Sequence, residues 1–201
     1  MAASGNTPWH PSSADHALRA RCAGQRGLTV WLTGLSGAGK STIAVAAERA
    51  LLEAGRLAYR LDGDNLRHGL NADLGFDAVG RSEAVRRAGE AALLLADAGA
   101  VAIVAMISPY RADRGLVRAR HAAAGVPFLE VFVDASLATA ERRDPKGLYA
   151  KARRGELKGF TGIDDPYEAP ESPEVRLRTD DAPSERSVAA LVDAVIAAAR
   201  G

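Results

Sequence analysis

Cysteine is nearly absent. Cys22 alone among 201 residues excludes an internal disulfide framework and fits a reducing compartment. Long apolar runs are also missing, none approaching the ~18 residues that a membrane-spanning helix needs. The first residues, with Pro8, His10, Pro11 and Asp15, hold no signal-peptide core. A soluble, cytoplasmic protein with no membrane partner is expected. Neither sign of charge prevails: Lys plus Arg number 26 against 25 Asp plus Glu. No global field therefore favours nucleic acid, and affinity for anions must come from local clustering. Internal repeats and low-complexity tracts are absent too.

What is present begins with Gly34-Leu35-Ser36-Gly37-Ala38-Gly39-Lys40-Ser41, a full match to the phosphate-binding loop G-x-x-x-x-G-K-[ST]. The apolar stretch Leu28–Leu32 before it reads as a buried strand, and the Ala-rich stretch Ser41–Ala54 after it reads as a helix. Glycines let backbone N–H groups converge on phosphate oxygens, and the helix N-terminus adds partial positive charge. Gly34 through Ser41, with Thr42, form the expected triphosphate site. Lys40 reaches the β- and γ-phosphates, and Ser41 offers its hydroxyl to Mg²⁺. ATP and Mg²⁺ are the ligands expected.

At 201 residues, 47% hydrophobic and 25% charged, the chain suits one globular domain. Residues 1–26 read as a loosely ordered extension, with a weak helical pattern from Asp15 to Cys22. From residue 27 onward, strands alternate with helices, the pattern of a parallel α/β sheet. Strands are expected at Leu28–Thr33, Leu57–Leu61, Ala100–Ile107 and Phe128–Val133. Helices are expected at Ser41–Ala54, Arg81–Ala98, Arg111–Ala124 and Glu185–Arg200. Residues 142–173, rich in Gly, Pro and charge, read as a mobile lid. A three-layer sandwich of the P-loop NTPase type, spanning residues 27–201, is the fold expected.

Ligands on such sheets bind beyond the carboxyl ends of the strands. Asp62-Gly63-Asp64-Asn65, Ser108-Pro109-Tyr110-Arg111, and Asp134 with Arg142 to Tyr149 all follow strands. All should face the phosphate loop across one cleft. Asp62 is placed to orient a Mg²⁺-bound water or to accept a proton from an acceptor hydroxyl. Asp64 either serves function or caps a helix starting at Asn65. Arg67 suits an anionic substrate through its planar fork, and His68 is either a second anion donor or a packed loop residue. Phe76 and Phe160, two of four phenylalanines, sit in glycine-bearing loops as lid anchors or stacking partners. Ser108 is a substrate contact, a structural hydrogen bonder or, least simply, a covalent acceptor. Of seven basic residues from Arg142 to Lys158, Lys146 is singled out for the transferring phosphate and Lys158 for substrate, while Arg153 and Arg154 read as surface.

The blocks GLSGAGKST (34–42), DGDNLRHGL (62–70), LGF (74–76), ISPYR (107–111), DPKGLY (144–149) and FTGIDDPYEAP (160–170) together resemble the adenylylsulfate kinase family. Those kinases phosphorylate the ribose 3′-hydroxyl of adenosine 5′-phosphosulfate. The resemblance covers about residues 28–175. It implies that Lys40, Asp62 and Lys146 are catalytic, and that Ser41 and Asp62 serve Mg²⁺. It further implies that Arg67 and Arg81 hold the phosphosulfate end, with Asp64, Ile107, Ser108, Gly147 and Leu148 along the substrate site. Phe76 and Phe160 would sandwich adenine, and a homodimer is implied. One departure stands out. The family's R-x-E-N-x-R-R reads Arg81-Ser82-Glu83-Ala84-Val85-Arg86-Arg87 here, so Ala84 replaces a substrate-touching asparagine. Met106 likewise replaces the usual Phe, a tolerable change of volume. Two other functions are therefore kept open: the same machinery acting on another nucleoside or nucleotide, and a silent nucleotide-binding module that regulates a partner.

Overall fold

The computed structural model describes residues 8, 10, 12–180 and 184–199. Five strands, β1 (Leu28–Thr33), β2 (Ala58–Asp62), β3 (Val101–Ala105), β4 (Phe128–Asp134) and β5 (Val175–Arg178), form one sheet in the order β2-β3-β1-β4-β5. Every pairing is parallel. β1 is central, with Trp31 opposite Val104 on one side and Glu130 on the other.

All six residues of β1 are buried, as expected of a strand covered on both faces. Alternation sends Leu28, Val30 and Leu32 to one face and Thr29, Trp31 and Thr33 to the other. The first face packs against α2 (Lys40–Glu53) and α8 (Ser184–Ala198) through Ile43, Ala47, Leu51, Leu191 and Val195. The second packs against α4 (Ala78–Asp97) and α5 (Arg111–Ala123) through Val85, Ala88, Ala92 and Val117. A separate cluster of Ala140, Tyr149, Ala152 and Phe160 gives α6 (Leu137–Arg143) and α7 (Leu148–Arg153) a small core of their own.

Several boundaries differ from expectation. α4 starts three residues early, because the Asp77 side chain accepts from Gly80 N–H at 2.7 Å and caps it. The short α3 (Gly63–Leu66) is capped by Asp62, so of the two readings of Asp64 the capping one does not hold. Residues 142–173 include α7 and the end of α6, so this segment is not irregular throughout. β5 was not anticipated. It is a four-residue edge strand in which only Leu177 is buried, too short and too charged to stand out. The amino-terminal segment is docked from residue 15 onward. Asp15 caps α1 (His16–Ala23) at 2.7 Å, and Arg19 pairs with Asp97 at 2.9 Å. Residues 1–7, 9 and 11 of the expected extension, and Arg200 of the last helix, lie outside the described residues.

Candidate active site

The carboxyl ends of β1, β2 and β3 open onto a cavity of about 790 Å³, within the roughly 300–1,000 Å³ typical of small-molecule sites. The loop from Gly34 to Gly39 links β1 to α2 along its floor. A Cβ at Gly34 would meet the Val133 carbonyl at 2.4 Å, so only glycine lets the loop pass β4. Gly39, at φ +104°, enters α2 with no side-chain cap, which leaves the helix N-terminus open to an anion.

Every carbonyl of this loop has a donor. Lys40 Nζ donates to Gly34 O at 2.8 Å and Leu35 O at 2.7 Å. Tyr149 donates to Ser36 O at 3.0 Å, Arg143 to Gly37 O at 3.4 Å and Thr179 to Ala38 O at 2.9 Å. Gly39 O accepts from Ile43 N–H at 3.0 Å. With the carbonyls tied back into protein, the loop presents donors to the cavity. Tyr149, Arg143 and Thr179 come from α7, α6 and the end of β5. No local sequence signal marked Tyr149 or Thr179 as partners of the loop.

Lys40 is 8% exposed, and its pKa falls to about 7. Burial is the main cause, and Lys146 adds repulsion, against the pull of Asp62 and Asp64. Asp62, at the tip of β2, is buried. One carboxylate oxygen accepts from Asp64 N–H at 3.0 Å, and the other lies 3.1 Å from Arg60 Nη1. Asp64 forms an ion pair with Lys146 across the cavity mouth, both side chains being mostly exposed. Ser41 and Thr42 are exposed in the first turn of α2 and line the cavity. Among the described residues no three His, Cys, Asp or Glu side chains cluster to hold a metal. The Ser41 hydroxyl and Asp62 carboxylate are hard oxygen donors, a set that suits Mg²⁺ sharing its remaining positions with phosphate and water.

The opposite wall is built from the α3–α4 connection, α4 and the lid. Arg67 donates to Leu74 O at 2.6 Å and Gly75 O at 2.9 Å, and lies over the Phe76 ring at 4.1 Å. Burial and the neighbouring Arg81 push its pKa down. Phe76 is 72% exposed at the rim, whereas Phe160 is 7% exposed and meets Tyr149 edge-on at 4.9 Å. Arg81 bonds Thr161 at 2.9 Å and pairs with Asp165, which also accepts from Tyr110 at 3.1 Å. α4 is thereby tied to the lid.

Ser108 closes the back of the site at φ +41°. Its hydroxyl accepts from Trp31 Nε1 at 3.0 Å, and its carbonyl accepts from Arg114 at 2.7 Å. Among the described residues no basic side chain hydrogen-bonds this hydroxyl, so it lacks the activation that a nucleophile needs. Ile107, Leu148 and Lys158 line the cavity; Gly34, Leu35 and Gly147 do not. Ala84 is buried on α4 and is not among the lining residues, although Arg81 and Val85 are.

The chain matches the family described as Adenylylsulphate kinase over residues 26–178. It is 54% identical to the adenylyl-sulfate kinase of Aeromonas hydrophila over 195 residues, 97% of this chain and 96% of that protein. It is 55% identical to the Saccharomyces cerevisiae adenylyl-sulfate kinase, over 87% and 86% of the two chains. The Mycobacterium tuberculosis APS kinase CysC, solved with AMPPNP and APS, superposes with a TM-score of 0.82 at 55% identity, over 85% of this chain and 98% of that one.

Proposed function

We propose a function on one premise: the chain belongs to the adenylylsulphate kinase family. It transfers the γ-phosphoryl group of ATP to the ribose 3′-hydroxyl of adenosine 5′-phosphosulfate, giving the 3′-phospho product and ADP. The observation that carries this reading is the phosphate loop, its carbonyls all tied back, facing Asp62 and Arg67 across one cavity.

Phosphoryl transfer needs little covalent help, so positioning and charge neutralisation are the protein's main tasks. The loop N–H groups and the α2 N-terminus bind the triphosphate. Lys40 leaves the Gly34 and Leu35 carbonyls for the β- and γ-phosphates. Asp62 orients the acceptor hydroxyl or a metal-bound water. Arg67 and Arg81 neutralise the phosphosulfate, and Phe76 and Phe160 grip the adenine. Lys146 exchanges Asp64 for the transferring phosphate as the lid, about residues 142–173, closes and excludes water. Ser41 and Asp62 would hold Mg²⁺, which supplies charge neutralisation on the phosphates. Residues 27–201 are the catalytic unit, working in the cytoplasm as a homodimer.

The test is direct. With ATP, Mg²⁺ and adenosine 5′-phosphosulfate, chromatography of the reaction should show ADP and the 3′-phosphorylated nucleotide in equal amounts. ATP binding without that product would remove the acceptor assignment. It would favour a different nucleoside or nucleotide, for which Ala84 is the sequence's one pointer.

A further inference from the structure

Arg60 is a charged residue on an edge strand, yet it is turned inward. Two residues apart on β2, Arg60 and Asp62 share a face, and the Arg60 side chain is only 20% exposed. Its backbone N–H donates to Glu48 Oε1 on α2 at 2.7 Å. Its guanidinium, however, does not settle on Glu48: Nε stops 3.7 Å from Glu48 Oε2 and is buried with no hydrogen-bond partner among the described residues. Nη1 instead reaches Asp62 Oδ2 at 3.1 Å. An arginine beside a carboxylate normally takes the bidentate fork. Here the guanidinium lies between two carboxylates, nearer to Asp62 than to Glu48, and its buried Nε makes no hydrogen bond among the described residues.

The consequence falls on Asp62. Oδ1 accepts from Asp64 N–H, and Oδ2 faces Arg60 Nη1 at 3.1 Å as an ion pair, not as an aligned hydrogen bond. The carboxylate is thus held from two sides, and its remaining lone pairs are left for the cavity it lines. Arg60 itself does not line the cavity.

We propose that Arg60 is a positioning residue for the reaction: it fixes the orientation of the Asp62 carboxylate. Its backbone N–H, bonded to Glu48, also fastens β2 to α2, whose first turn carries Lys40 and Ser41. The inference rests on the reading of Asp62 as the group that orients the acceptor hydroxyl or the metal-bound water. Because Arg60 does not line the cavity, its loss acts on turnover and leaves substrate binding intact.

The experiment is a double-mutant cycle on the full chain: Arg60→Met, Asp62→Asn and the pair, with kcat and both KM values measured for ATP and adenosine 5′-phosphosulfate. Arg60→Met should lower kcat by about 10- to 100-fold with each KM within about twofold of wild type. In the Asp62→Asn background the same change should alter kcat by less than about twofold, because the carboxylate that Arg60 serves is gone. Arg60→Lys keeps the charge and the buried stem. Its kcat should fall between wild type and Arg60→Met, and it carries the test alone if Arg60→Met does not fold. A wild-type kcat in Arg60→Met overturns the proposal, as does an equal loss with Asp62 already removed, since that loss is merely structural. A wild-type kcat in Asp62→Asn is a separate outcome, overturning the reading of Asp62 on which the inference rests.

Discussion

Lys40 is held in two ways at once, by hydrogen bonds to its own loop and by removal from water. Its folded pKa, about 7, lies below the 10.5 of the free side chain. Between those values the unfolded chain binds more protons than the folded one, so stability rises with pH across the window. Below about pH 7 both states are protonated and the desolvation cost is borne in full. Urea denaturation of the nucleotide-free protein at pH 7 and pH 10 should show this gain, and Lys40→Met should lack it while also losing turnover. Triphosphate brings negative charge to the same nitrogen and restores its proton. Calorimetric titration with ATP at pH 8 in two buffers of different ionisation enthalpy should therefore register proton uptake. Binding without uptake would contradict the account.

Elements are joined around Arg114, whose side chain is 3% exposed. From α5 it donates to Glu130 of β4, to Ser108 O after β3 and to Glu168 O on the return from the lid, each at 2.7 Å. One planar fork thus fixes the left-handed Ser108, the end of the lid and the sheet relative to each other. Removing one member of a fully buried pair costs about 3–5 kcal/mol. Here Arg118 at 3.3 Å keeps part of Glu130's compensation, which puts the cost at the lower end, about 3 kcal/mol. Arg114→Ala should lose stability of that order in urea denaturation, and Arg114→Lys should recover little because lysine lacks the fork. A loss below about 1 kcal/mol, the value of a surface pair, would show that the network is dispensable.

Over the whole molecule, the two edges of the sheet divide the work. The carboxyl edge carries the cavity, while the amino edge is sewn by Gln25, 6% exposed, whose amide bonds Leu57 N–H and both the Leu57 and Gly99 carbonyls at 2.7–3.0 Å. His16 adds bonds to Asp97 and Ala124 O, both at 2.7 Å. Gln25→Ala leaves buried backbone groups unpaired, so it should reduce stability by about 1–3 kcal/mol. With the chemistry at the far edge, both KM values should stay within about twofold of wild type. A larger change in KM would show that the edges are coupled.

The sequence by itself determined the parallel α/β class, the strand leading into Gly34, and Lys40 and Ser41 on a helix N-terminus. These are local matters, written in hydrophobic period, glycine placement and the residue that starts a helix. It also marked the strand-end residues Asp62, Arg67 and Ser108, because ligands gather where parallel strands end. Only the tertiary structure decided what those side chains do to one another. Tyr149 reaches Ser36 across 113 residues and Thr179 reaches Ala38 across 141. Arg60 pairs with both Glu48 and Asp62, and Arg81 pairs with Asp165 of the lid. Such contacts depend on how helices and strands close over the core, and no spacing along the chain encodes them.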